Sequence, residues 1–166
     1  MKTNLIKRLE HQQEQRQRPA RSSTHAPEAG KEFRAFGQAH VGGERGYCGK
    51  YYAGRYALAV KLMIDRYGLT RDSTVLEVGC GPGFMVYEFT RLDIPNAWGC
   101  AGSSSAIEGG KPESRERLKV MDLDRLEYPD ASFDLVYSVD ALHQLEPEAC
   151  DDAVCEIMRV SDGSSF

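Results

Sequence analysis

No run of roughly 18 apolar residues occurs in this 166-residue chain, which leaves no candidate for a membrane-spanning helix. The first residues lack the apolar core of a secretory signal, and Glu10 and Glu14 argue against an organelle transit peptide. Five cysteines, Cys48, Cys80, Cys100, Cys150 and Cys155, are odd in number and irregularly spaced, giving neither a disulfide framework nor a CxxC metal pair. Cys80 and Cys100 read as small packing residues. His11, His25 and His40 are scattered without metal-ligand spacing, so no metal site is expected. No internal repeat is visible. These absences point to a reducing compartment, and the cytoplasm is the simplest expectation.

What is there fits one folded domain with a polar appendage: 41% of residues are hydrophobic and 28% charged. The net charge of −4 is unevenly spread, with 13 Lys/Arg against 6 Asp/Glu up to Arg66 and 8 against 19 beyond it. The basic half reads as a solvated tail, so no nucleic-acid partner is expected. Residues 1–50 form a polar, flexible segment, almost without apolar residues between Leu9 and Gly30; Phe33, Phe36, Tyr47 and Cys48 lie in its irregular lead-in. Residues 51–166 form the domain.

Within the domain the apolar spacing of Tyr56, Ala59, Val60, Met63 and Tyr67 predicts a helix over 52–67, capped by Gly68. A strand opens at Val75, a helix covers 84–92 and a strand 97–101, and Ser103 to Ser105 cap a helix over 106–109. Strands follow over 118–121 and 133–139. A last helix begins near Pro147, with Arg159 in its final turn and an apolar stripe of Cys150, Ala153, Val154, Ile157 and Met158. Strands alternating with helices predict an α/β fold: a Rossmann-like parallel sheet with right-handed crossovers and flanking helices, in strand order 3-2-1-4.

The densest signal is Val75-Leu76-Glu77-Val78-Gly79-Cys80-Gly81-Pro82-Gly83, an apolar strand followed by a three-glycine turn and a helix at Phe84. Such a turn tolerates positive φ and lets backbone approach a ligand where a β-carbon would collide. It brings backbone N–H groups to the carboxyl end of a parallel sheet, where nucleotide-like ligands dock. A dinucleotide fingerprint requires Gly or Ala at position 84, so Phe84 disfavours a nicotinamide dehydrogenase.

Glu77 and Gly79, Gly81 and Gly83 resemble motif I of the class I S-adenosylmethionine-dependent methyltransferases of the small-molecule type. The resemblance runs from about Tyr51 to Phe166. Gly99-Cys100-Ala101-Gly102-Ser103 occupies the second motif and Asp122-Leu123-Asp124-Arg125-Leu126 the third. Leu135 to His143 matches the fourth, and Glu156-Ile157-Met158-Arg159-Val160 is similar to the helix end before strand five. The resemblance implies S-adenosyl-L-methionine as cofactor and an O, N or C atom of a small molecule as methyl acceptor. It places Glu77 near the cofactor's ammonium, Gly79, Cys80, Gly81 and Gly83 around its amino-acid and ribose portion, and Asp122 and Leu123 at the adenine. Ser138 and Val139 would lie beside it. Tyr51, Tyr52 and Arg55 are candidates for a lid.

Two departures stand out. The family's ribose-gripping acid at the end of strand two is here Ala101. The chain also ends about where strand five begins, so a sheet lacking its C-terminal part is expected. A fragment of a longer enzyme is the favoured reading, with a reduced relative whose open edge is covered by a partner or a second copy as the alternative. His143 is the candidate general base, just beyond strand four on the ligand-binding side, with Asp140 similarly placed; packing or capping of the following segment is the alternative for His143. The different-class alternative is a non-catalytic, methyltransferase-like interaction module.

Overall fold

The computed structural model describes residue 51 and residues 54–163; the expected leader, 1–50, and Tyr52 lie outside the described residues. Helix α1, Ala57–Tyr67, buries Val60, and Tyr56 just before it is buried too, while Ala59 and Tyr67 face solvent. It starts later than its apolar spacing predicts, because 54–56 form a turn. Gly68 ends it as expected: at φ +61° its N–H donates to the Ile64 carbonyl.

The core is one parallel sheet. Strands β1, Thr74–Val78, β2, Asn96–Ala101, β3, Leu118–Val120, and β4, Leu135–Tyr137, lie in the order β3-β2-β1-β4, matching the expected topology. Helix α2, Phe84–Arg91, connects β1 to β2; a short α3, Ser104–Ile107, and a 3-10 helix, Pro112–Arg117, connect β2 to β3. Ser103 caps α3 by accepting from the Ala106 N–H, so the helix begins two residues before the predicted 106–109 span. The 3-10 helix has no counterpart in the sequence reading, although Pro112 marks its first turn. A second 3-10 turn, Leu142–Gln144, precedes helix α4, Pro147–Val160.

Each face of the sheet has its own apolar cluster. Val75, Phe84, Val86, Phe89, Ala97, Ala101 and Leu135 pack on the face covered by α1 and α2. Leu76, Val78, Cys100, Leu123, Phe133 and Val160 pack on the other, below α4. The side chains alternate between faces along β1, as a pleated strand requires. Cys80 and Cys100 are fully buried packing residues.

Strand β4 is shorter than the predicted 133–139. At its start, side chains replace the ladder: Asp134 accepts from the Thr74 N–H (2.6 Å) and hydroxyl (2.9 Å), while its own N–H donates to Thr74 Oγ1 (3.1 Å). Phe133 instead forms an isolated parallel bridge with Ser161, on the side away from β1. The α4 stripe is also narrower than predicted. Ala153 and Val160 are buried and Ile157 packs against the core, whereas Val154 and Met158 are exposed. Local periodicity marks an apolar face but not which part of it meets the sheet.

Candidate active site at the glycine turn

Beyond β1 the backbone turns through three left-handed glycines: Gly79 at φ +81°, Gly81 at +50° and Gly83 at +67°. These dihedrals are why glycine is needed there. The amides of Gly79 and Cys80 both donate to the Cys100 carbonyl at 2.8 Å, and the Gly83 amide donates to the Cys80 carbonyl at 2.9 Å. The turn stands at the carboxyl end of β1, where the sequence reading put its N–H groups. Those three are engaged in holding its shape, and Gly81 alone of the four has no backbone acceptor among the described residues.

The missing β-carbons mostly accommodate the protein itself. A β-carbon on Gly83 would lie 2.5 Å from Leu118 Cδ2, and one on Gly99 would lie 2.8 Å from the Cys80 side chain. At Gly79 it would meet Ala141 Cβ at 2.0 Å and Leu123 Cδ1 at 3.6 Å. Gly79 is therefore the point where the loops following β1, β3 and β4 converge. The sequence reading singled out Gly79 and Leu123 and missed Ala141; a small residue just beyond strand four was the available signal.

Glu77 is paired in register with Gly99 of β2 and Tyr137 of β4, and it is fully buried. Burial, and after it the Glu77 charge, push the Tyr137 phenol well above its ordinary range. The Tyr137 hydroxyl and Ser138 Oγ are both buried; Glu77 is the hydrogen-bonding neighbour of the first, and the second has no hydrogen-bond partner among the described residues. Buried hydroxyls without partners are uncommon because their desolvation goes uncompensated. The Glu77 carboxylate and the Tyr137 hydroxyl thus form one polar pair near the carboxyl edge of the sheet, and Ser138 follows directly in the chain. Tyr137 was not among the sequence candidates.

The other candidates are spread around this point. Asp122 is exposed, and its carbonyl accepts from the Arg125 N–H at 3.2 Å in a tight turn. Leu123 is buried behind it. Ala101 is 2% exposed, packs in the cluster under α2, and gives its carbonyl to the Met121 N–H at 3.0 Å. Val139 packs on the same cluster. Asp140 is exposed at φ +53° and accepts through its carbonyl from Gln144 Nε2 at 2.7 Å; His143 is exposed on the same turn. Burial, with added repulsion from Asp122, Asp152 and Glu156, raises the Asp124 carboxyl.

Of the lid candidates, Tyr51 is seated on α2. Its hydroxyl donates to the buried Glu88 carboxylate, its ring meets Phe84 and Tyr87 edge-on, and Lys111 Nζ lies 4.2 Å from its centre. Arg55 is exposed, 5.7 Å from the Tyr56 ring. A separate open cavity of about 310 Å³ is lined by Ser104, Ile107, Glu108, Arg115 and Leu118, and contains none of the predicted cofactor residues. Among the described residues no group of three or more His, Cys, Asp or Glu could hold a metal, and no helix is long and apolar enough to cross a membrane.

Comparison with known proteins gives this geometry a context. Residues 76–164 match the family model described as a methyltransferase domain. The chain is 31% identical over 104 residues to a sterol 24-C-methyltransferase of Eremothecium gossypii, a match covering 58% of this chain and 28% of that protein. Among solved structures, it is similar to the YcgJ protein of Bacillus subtilis (TM-score 0.52, 24% identity, 63% of this chain and 46% of that one). It is also similar to a SAM-dependent methyltransferase from Aquifex aeolicus (TM-score 0.52, 19% identity, 66% and 62%). A third similar structure is the [4+2]-cyclase SpnF (TM-score 0.55, 24% identity, 68% and 46%). At these identities the structural likenesses establish the fold. The chain spans 28% of the curated relative's length and about half that of these structures.

Proposed function

The chain belongs to the methyltransferase-domain family, and from that premise we propose that it binds S-adenosyl-L-methionine at the glycine turn and transfers a methyl group to an O, N or C atom of a small molecule. The observation that carries the reading is the fully buried Glu77 at the end of β1, in register with Tyr137 of β4, where the next residue, Ser138, has a buried Oγ without a partner among the described residues. A buried carboxylate and an unsatisfied hydroxyl are a poor arrangement for stability alone. They suit the charged, hydrogen-bonding end of an amino-acid-bearing nucleoside.

The cofactor would supply an electrophilic methyl group that already carries its leaving group. What remains for the protein is to bind, orient and exclude water, so that proximity and alignment provide most of the acceleration. In this reading Glu77 holds the ammonium end and Gly81 and Ser138 contact the polar middle. Asp122 and the Leu123 backbone meet the adenine, and Val139 packs beside it. Ala101 brings no carboxylate to the ribose, so its hydroxyls depend on backbone and neighbouring groups. Where the acceptor sheds a proton, His143 is the residue to take it: it is exposed, on the turn following β4.

Titration calorimetry tests the reading. S-adenosylmethionine and S-adenosylhomocysteine are expected to bind with dissociation constants on the order of micromolar, about −8 kcal/mol, and NAD not at all. Binding of NAD alone would replace methyl transfer with a nicotinamide-dependent reaction.

A further inference from the structure

The loop between β3 and β4 carries Asp122 and Leu123, and its far end is held by the last two turns of α4. Arg159 and Glu156 stand one turn apart there, with side chains only 15% and 13% exposed. Arg159 meets Glu156 in a two-point fork, Nε to Oε1 at 2.9 Å and one terminal nitrogen to Oε2 at 2.7 Å. The guanidinium also donates to the Leu126 carbonyl (2.8 Å), the Tyr128 carbonyl (2.7 Å) and the exposed Asp130 carboxylate (2.7 Å). Glu156 in turn accepts from the Leu126 N–H at 2.9 Å. Both backbone groups of Leu126 are thus fixed by one residue pair. The Glu156 and Asp130 carboxylates keep the guanidinium protonated against the opposing effect of burial.

We propose that Glu156 and Arg159 are positioning residues for the cofactor, holding the 121–130 loop so that Asp122 and Leu123 stand against the glycine turn. This deepens, and rests on, the cofactor reading above. Transmission needs few steps. Leu126 is fixed by the pair, the Arg125 N–H closes a turn on the Asp122 carbonyl, and the Leu123 side chain reaches the space above Gly79. Leu123 and Leu126 also share an apolar cluster with Val160 and Ile157 of α4, so polar and apolar contacts pull the loop the same way. A planar five-donor fork reaches four acceptor groups at fixed angles; a lysine ammonium on a flexible stem does not. Charge at position 159 is therefore insufficient without the fork.

The test compares the full chain with Arg159→Lys, Glu156→Gln and Asp130→Asn, all at a temperature where each is folded. Each is titrated with S-adenosylmethionine and with 5′-methylthioadenosine, which keeps the adenosine and lacks the amino-acid end. Arg159→Lys and Glu156→Gln are expected to weaken both ligands by the same factor, about 10- to 100-fold, the size of one lost charge-assisted hydrogen bond. Amide exchange should accelerate over 122–126 and stay unchanged over 75–78. Asp130→Asn, at a site 72% exposed, is expected to change affinity less than about two-fold. A lower melting temperature with both affinities intact would make the pair a mere brace and overturn the proposal. So would a loss confined to S-adenosylmethionine, which belongs to the amino-acid end. If the unaltered chain binds neither nucleoside, the cofactor reading itself fails; if it binds both and Arg159→Lys binds them equally well, only the positioning role fails.

Discussion

The methyl group of Ala141 fills the space that a side chain on Gly79 would need: the two β-carbons would be 2.0 Å apart. This contact joins the loop after β4, which bears Asp140 and His143, to the turn after β1. Gly79→Ala therefore faces a clash against backbone-anchored atoms and a φ of +81°. We expect it to lose about 2–4 kcal/mol of stability, combining overpacking with the left-handed penalty. Ala141→Gly in the same chain should restore the steric part and leave the dihedral part. Gly83→Ala bears a similar strain at φ +67° but meets a side chain, Leu118, with Cδ2 at 2.5 Å and Cγ at 3.2 Å, which can turn aside, so the steric part of its loss should be smaller. Urea unfolding of the four variants measures the coupling; strict additivity of Gly79→Ala and Ala141→Gly would contradict it.

Glu77→Gln keeps the shape of a fully buried side chain and removes its charge. Its melting temperature is expected to hold or rise, since a buried carboxylate is expensive to desolvate. Affinity for S-adenosylmethionine should fall about 10- to 100-fold, the worth of a charge-assisted contact with the ammonium. Affinity for 5′-methylthioadenosine should be unaffected. Equal losses for the two ligands would place Glu77 away from the amino-acid end.

Ala101→Asp adds the carboxylate that the family resemblance leads one to expect, at a position packed in the core and 2% exposed. Two opposing effects are expected: destabilisation of the free protein by about 1–3 kcal/mol, and a gain in nucleoside affinity of up to about ten-fold. Scanning calorimetry with and without S-adenosylhomocysteine separates them. Destabilisation with no gain would mean that position 101 does not face the ribose.

Much of this architecture was legible in the sequence. Strand order followed from alternating apolar runs and a glycine turn, and Gly68 announced the end of α1. The parts that were not legible are long-range contacts. Nothing near Gly79 in the chain reveals that Ala141, 62 residues later, occupies its empty side. The Tyr137 hydroxyl beside Glu77 depends on strand register, and the exposure of Val154 and Met158 depends on which part of the α4 face the sheet covers. Asp122 and Ser138 were placed by resemblance, and His143 by its position just beyond strand four. Their positions agree with the carboxyl edge of the sheet, while composition alone would leave them ordinary polar residues.

Burial raises the Cys100 thiol from 9.0 to about 12. Because the folded value lies above the unfolded one, its stabilising contribution is complete below about pH 9 and is lost as pH rises toward 12. Within that window unfolding should become easier by about 1.4 kcal/mol per pH unit from this one group. The Tyr137 phenol, also raised chiefly by burial, acts in the same direction above its ordinary value of 10.0. Cys100→Ala is expected to flatten part of the alkaline slope in urea unfolding between pH 9 and 11, and to leave the slope below pH 8 unchanged. Identical slopes for both proteins would contradict a buried, protonated thiol.

The claim on which the rest depends is that the ends of β1, β3 and β4 form one nucleoside site. Nitrogen–proton correlation spectra of the labelled chain, titrated with S-adenosylhomocysteine, test it most directly. The expected result is saturable shifts in the amides of Gly79, Cys80, Gly81, Asp122, Leu123 and Ser138. Shifts confined to the cavity at Ser104, Glu108 and Arg115, or no shifts at all, would contradict it.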